Sequence, residues 1–148
     1  MRVAEISTAE TYPLRLAVLR ENTPSKDVTF PEDHWPGTVH LGVLDDAGLV
    51  VATSSWVPRD CPACTDEMGV QLRGMATARE LQGSGVGGLL LEAGIERHRE
   101  QGFAVMWARA RDSALGFYLR HDCTVSGDGI IDDTTQLAHH VVVRRLHH

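Results

Sequence analysis

The 148 residues carry 14 basic and 20 acidic side chains, a formal net charge of −6 with the histidines neutral. With 43% hydrophobic and 23% charged residues the chain has enough apolar surface to close a core, which excludes a disordered segment and fits one soluble globular domain. The acidic balance excludes a dedicated nucleic-acid binder, whose phosphate contacts need clustered Lys and Arg.

Residues 1–7 lack the apolar run of a secretory signal, and the longest apolar run, Phe103 to Ala108, is far too short to span a membrane. Cys61, Cys64 and Cys123 are odd in number, as fits a reducing compartment, so a cytoplasmic protein is expected. His147 and His148 are set aside, because a purification tag leaves the same residues.

Residues 2–7 read as a first strand, with Ser7 or Thr8 capping a helix through Tyr12, Leu14, Leu16 and Leu19. From Glu21 to Thr38, Pro24, Pro31, Pro36 and Gly37 among polar and aromatic residues predict a loop with one short helix at most, long enough to serve a site. Val39–Asp45 and Leu49–Val57 flank Asp46-Ala47-Gly48, the turn chemistry of a hairpin. A second loop, Pro58–Gly69, leads to a strand over Val70–Thr77, with Leu72, Gly74 and Ala76 on one face and Arg73, Met75 and Thr77 on the other. Gly85–Gln101 places Val86, Leu89, Leu90 and Ala93 at helical spacing and stops at Gly102. Phe103–Ala108, without a polar face, reads as a central strand. Asp112 or Ser113 then caps a short helix through Tyr118 and His121, before strands near Cys123–Ser126 and at Gln136–Arg145.

The stretch Gln82-Gly83-Ser84-Gly85-Val86-Gly87-Gly88 lies between a strand and an amphipathic helix. Its glycines let the backbone turn and approach a ligand, and the unpaired N–H groups of the helix start attract anionic oxygens, so a pyrophosphate suits it. Gly83, Gly85 and Gly88 also satisfy G-x-G-x-x-G with Asp112 downstream, the dinucleotide-binding pattern. That reading fails on architecture, because an antiparallel half precedes the motif and too little chain follows Asp112 to complete a second half. A nucleotide-triphosphate loop is excluded, as no Gly-Lys-Ser/Thr follows.

Gln82, Gly85 and Gly87 match Gln/Arg-x-x-Gly-x-Gly/Ala, and on this the chain resembles the GNAT superfamily of acyl-CoA-dependent N-acyltransferases. Two further blocks fall in the family's order: Leu72–Thr77 is similar to its cofactor-binding strand, and Ala114-x-x-Phe117-Tyr118 to the last positions of its Asn-x-x-Ala-x-x-Phe-Tyr block. The resemblance implies an α/β fold, a mixed and mostly antiparallel sheet of about 6–7 strands with about 4 helices, opened between the cofactor strand and the apolar strand after it. It further implies acetyl transfer from acetyl-CoA to a primary amine of a small molecule or peptide, by direct attack in a ternary complex and without a metal. Met75 and Thr77 would offer backbone groups to the pantetheine arm, and the amides of Gln82, Gly83, Ser84, Gly85, Val86, Gly87 and Gly88 would hold the pyrophosphate. Tyr118 would protonate the departing thiolate, since a phenol with its pKa near 10 keeps its proton at neutral pH.

The chain departs from the family pattern at three places. Arg111 stands at the block's asparagine, Asp122-Cys123 replaces the usual Gly-Phe, and Gln71 stands where some members carry a glutamate base. Asp66, Glu67, Glu32, Asp33 and His34 remain as candidates for the general base, and none is singled out. Acceptor recognition is expected from Glu21–Thr38 and Asp128–Asp133, whose acidic residues favour a cationic amine by charge complementarity.

Cys61-Pro62-Ala63-Cys64 resembles a redox pair or half a zinc site, but without a second ligand pair it reads as a surface loop with two thiols. His139 and His140 point to opposite faces of a strand and read as structural. The expected partner is the amine, with no nucleic acid and no membrane, and a homodimer is allowed. The rival reading is a non-catalytic acyl-CoA-binding or sensor module, with a thiol-redox protein third.

Overall fold

The computed structural model describes residues 1–131 and 137–146. β1 (Arg2–Glu5) leads to α1 (Thr8–Leu14), whose start is a reciprocal cap: Ser7 accepts from the Glu10 N–H and Glu10 accepts from the Ser7 N–H. Pro13 lies within α1, which passes into one π-helical turn at Arg15–Leu19 in place of the continuous helix expected. The following loop holds a 3₁₀ turn at Pro31–His34. β2 (Val39–Leu44) and β3 (Val50–Pro58) form the expected hairpin, its turn tightened by Asp45, whose carboxylate accepts from the N–H groups of Ala47 and Leu49 at 2.9 Å each.

β4 (Gly69–Thr77) is followed by α2 (Val86–Glu100), β5 (Val105–Arg111), α3 (Leu115–Arg120), β6 (Thr124–Ile131) and β7 (Ala138–Arg145). The seven strands make one sheet in the order β1-β2-β3-β4-β5-β7-β6. Every neighbouring pair is antiparallel except β4 with β5, which is parallel. Among the described residues three α-helices, the π-helical turn and three short 3₁₀ turns flank the sheet, close to the about four helices expected.

α2 covers one face with Leu90, Leu91 and Ile95, packed on Trp56, Val70, Leu72, Met106 and Ala108. Each such side chain, once buried, contributes about 1.5–3 kcal/mol, so this layer dominates the stability. Trp56 is fully buried, stacks on His98 with ring centroids 5.0 Å apart, and satisfies its N–H on Ser54 Oγ at 2.8 Å.

Cys61 and Cys64 do not sit in a surface loop. Both are buried free thiols, packed with Val105 and Trp107, and the Trp107 N–H donates to the Arg59 carbonyl at 2.8 Å. The proline-containing loop folds back because two small apolar side chains fit the flat indole beneath them. Asp128 lies within β6, not in a loop. Asp132, Asp133, Gln136, His147 and His148 lie outside the described residues. No helix among the described residues is long and apolar enough to cross a membrane.

Candidate active site

β4 carries an extra residue relative to β3: Thr53 pairs with Ala76 and Ser55 with Arg73, so two β3 steps face three on β4. Gly74 makes the bulge possible, because its φ of 62° lies in the left-handed region and a Cβ there would stand 2.9 Å from the Phe30 ring. The bulge overturns the simple alternation expected for this strand. Met75 packs against the core that holds Leu72, and the Thr77 hydroxyl lies 3.3 Å from where a Cβ on Gly87 would sit.

The parallel ladder runs only from Gly69 with Val105 to Leu72 with Ala108, and then the strands part, as expected. β5 continues to Arg111, three residues beyond the apolar run, because β7 stays paired with it as far as Arg111 with His139. A cavity of about 1200 Å³ fills this opening. It is lined by β4 from Gln71 to Thr77, by Leu81–Gly83, Gly85 and Gly87–Leu89 of the glycine turn, by Arg109–Arg111 and by Phe117, Tyr118 and His121 of the α3 region, while Ser84 and Val86 do not line it.

The glycine turn enters α2 through Gly85, whose φ of 93° is left-handed and which no side chain caps. The first turn of α2 has no acidic residue and the last has Arg97, His98 and Arg99, so its N-terminal N–H groups face the cavity without a compensating charge. Gln82 is held in place by its own amide, which donates to the Thr77 carbonyl at 3.1 Å. α3 is fixed against α2 by Glu92, which accepts from Arg144 at 2.8 Å and pairs with His121 at 3.1 Å.

Tyr118 is buried beneath the turn and lines the cavity. Burial pushes its phenol above the usual range, and the neighbouring Cys123 adds to that. Cys123 is itself pushed up to about 11 by burial, so both groups keep their protons at neutral pH.

Two acids of the long early loop, Glu32 and Asp33, are buried in ion pairs and offer no exposed acceptor surface, while Asp27 lines the cavity. Asp33 and Arg15 make a fully buried bidentate pair at 2.8 and 2.9 Å, and Arg15 also donates to Ser55 at 2.8 Å and stacks over Phe30 at 3.9 Å. Burial works to raise the Asp33 carboxyl, but the Arg15 hydrogen bond, the Phe30 N–H and the nearby positive charge together hold it below the ordinary range. His40 closes the network onto Ser55 at 2.7 Å, and its own burial lowers its pKa.

Glu32, also buried, receives both Arg59 and Arg73. Gln71 accepts from Arg59 at 2.9 Å and lines the cavity, so it offers an amide there and no carboxylate. Glu67 turns away to Arg145. His34 and Asp66 do not line the cavity, while His139 does, and His140 pairs with Asp112 at 2.6 Å. Arg73, Arg109 and Arg111 were not singled out as cavity cations. Their signal was present as arginines at alternate positions on β5 and one on β4.

This fold is shared with solved acetyltransferases. Over 99% of both chains it superposes on an acetyltransferase of the GNAT family from Staphylococcus aureus Mu50, with a TM-score of 0.78 at 16% identity. Over 100% of this chain and 98% of the other it matches an aminoglycoside 6′-N-acetyltransferase complexed with coenzyme A, with a TM-score of 0.76 at 11% identity. The sequence is also 29% identical to the uncharacterized N-acetyltransferase YitI of Bacillus subtilis, across 97% of this chain and 94% of that one. The fold class is therefore that of the GNAT acetyltransferases. Residues 7–122 match the Acetyltransferase (GNAT) family, and the chain belongs to it, which makes the protein a transferase.

Proposed function

We propose that the protein transfers an acetyl group from acetyl-CoA to a primary amine of a small molecule or peptide by direct attack in a ternary complex. The observation that carries this reading is one cavity lined by the open edge of β4, the uncapped glycine turn and the Tyr118 phenol. In this reading Met75 and Thr77 offer backbone groups to the pantetheine arm, and the amides from Gln82 to Gly88 hold the pyrophosphate. A relative of the same fold is described in complex with coenzyme A, which supports the choice of cosubstrate.

The neutral amine attacks the thioester carbonyl carbon, the C–S bond breaks, and the new amide nitrogen releases its proton to water. Tyr118 gives its proton to the departing sulfur and takes one back from water, which balances the proton that the nitrogen released. The burial that makes the phenol a weak acid also makes a thiolate expelled beside it a strong base, so the transfer remains matched. Proximity of amine and thioester supplies much of the acceleration.

Calorimetric titration with acetyl-CoA, with NADH as control, followed by thiol release against a panel of amines, tests the assignment. Selective micromolar binding and thiol release are expected. Binding without release from any amine would leave an acyl-CoA-binding module, and no binding to a folded sample would overturn both readings.

A further inference from the structure

The cavity has two ends of different chemistry. At one end stand the glycine turn and α3. At the other, where β4 and β5 part, the last paired residues are Leu72 and Ala108, and the next along each strand are Arg73 and Arg109. Two guanidinium groups therefore flank the apex of the opening, one from each strand, and both line the cavity.

Among the described residues, the guanidinium groups at this apex have one carboxylate between them, that of Glu32. Arg73 shares the single carboxylate of Glu32 with Arg59 and rests over Phe30 at 4.3 Å. Among the described residues the Arg109 guanidinium has no hydrogen-bond or ion-pair partner. Arg20, which donates to the Asp27 carbonyl at 2.7 Å, and Arg111, which donates to the Leu19 carbonyl, line the same region with Asp27. Asp27 itself accepts from the Thr29 N–H at 2.9 Å and the Thr29 hydroxyl at 2.7 Å. The remaining acid of the cavity, Glu92, is taken up by Arg144 and His121 near α3.

These arginines are badly placed for the phosphates of the cosubstrate. Arg73 lies four residues before Thr77, about 13 Å along an extended strand from the end that feeds the glycine turn. A pyrophosphate on that turn leaves Arg73 and Arg109 beside the reacting end.

We infer that the amine acceptor also carries a carboxylate, which Arg109 and Arg73 bind at the apex between the parting strands. This rests on the acetyltransferase reading and names the substrate class for it. A guanidinium presents a planar fork that matches a carboxylate, which is why it suits an amino-acid-like acceptor better than a simple diamine. The same charge has a second effect. Cations around the acceptor disfavour its ammonium form, so more of it is present as the neutral nucleophile at neutral pH, at a site where Gln71 offers no base.

The test compares α-, β- and γ-amino acids with their primary amides and with the diamines of matching length, by thiol release from acetyl-CoA. The carboxylate member of a pair is expected to exceed its amide at least about tenfold in kcat/KM, the size of one lost charged hydrogen-bond partner. Arg109→Gln should raise KM for that acceptor about tenfold and leave the KM for acetyl-CoA unchanged, with Arg109→Lys restoring part of the loss. Preference for amides or diamines, or an unchanged ratio in Arg109→Gln, overturns the inference while leaving the acetyltransferase reading intact. If acetyl-CoA binds and no member reacts, the N-acetylated acids and their amides are titrated into CoA-loaded protein. Tighter binding of the acids that Arg109→Gln abolishes supports the inference, and equal or absent binding overturns it. Failure to bind acetyl-CoA at all removes the underlying reading instead.

Discussion

Arg15 and Asp33 face each other with two parallel hydrogen bonds, at 2.8 and 2.9 Å, in a place where neither side chain is more than 2% exposed. The pair ties the end of the first helical segment to the 3₁₀ turn of the long loop, and through Ser55 to β3. Its role is to hold the loop against the sheet beside the cavity.

Breaking this pair from one side leaves a buried charge. Arg15→Met is expected to destabilise the protein by about 3–5 kcal/mol, and Arg15→Met with Asp33→Leu by less than the single change, because removing both charges removes the desolvation penalty. Urea unfolding of the two variants measures this. A single-variant loss below about 1 kcal/mol would mean the pair is not a structural tie.

Tyr118→Phe tests the proton donor. The ring and its packing remain, so acetyl-CoA affinity is expected within about twofold, while kcat falls about 100-fold, the ordinary reach of a positioned acid. Equal turnover by the variant would assign the proton to water.

Gly85→Ala tests the turn. At a φ of 93° a Cβ costs about 1–2 kcal/mol, so acetyl-CoA binding is expected to weaken about tenfold with the circular dichroism spectrum unchanged. Unaltered affinity would separate the turn from phosphate binding.

Stability should fall on mild acidification. Burial lowers the pKa of His98 and of His40, so both are neutral when folded. The unfolded chain takes up these protons first, as pH drops through about 6.5, and stability present above that value is lost progressively down to the folded pKa of each group. Asp33 has a depressed carboxyl, so its contribution is present above about pH 4 and is lost as pH falls further. The melting temperature is expected to decline between pH 7.5 and 5.5, less steeply in His98→Phe. A flat profile across that interval would show that the two imidazoles are not linked to folding.

The readable parts of this protein were those written in neighbouring residues. Turn chemistry at Asp45–Gly48, the 3.6-residue spacing of α2 and the glycines between Gln82 and Gly88 each act over a few positions, so strand, helix and turn could be read directly. The bulge at Gly74 was not readable, because it depends on how β3 and β4 meet and on the Phe30 ring packed above. Nor was the fate of the charges. Glu32 and Asp33 looked like a solvated acidic loop, and only folding brought Arg15, Arg59 and Arg73 to them, from 18, 27 and 41 residues away. Arg73 and Arg109 likewise came to line one cavity only when two distant strands were laid parallel and then parted. Local backbone preference decides the elements because it needs no partner. The sign of the charge in the cleft depends on which side chains burial forces together, and that is a property of the tertiary structure alone.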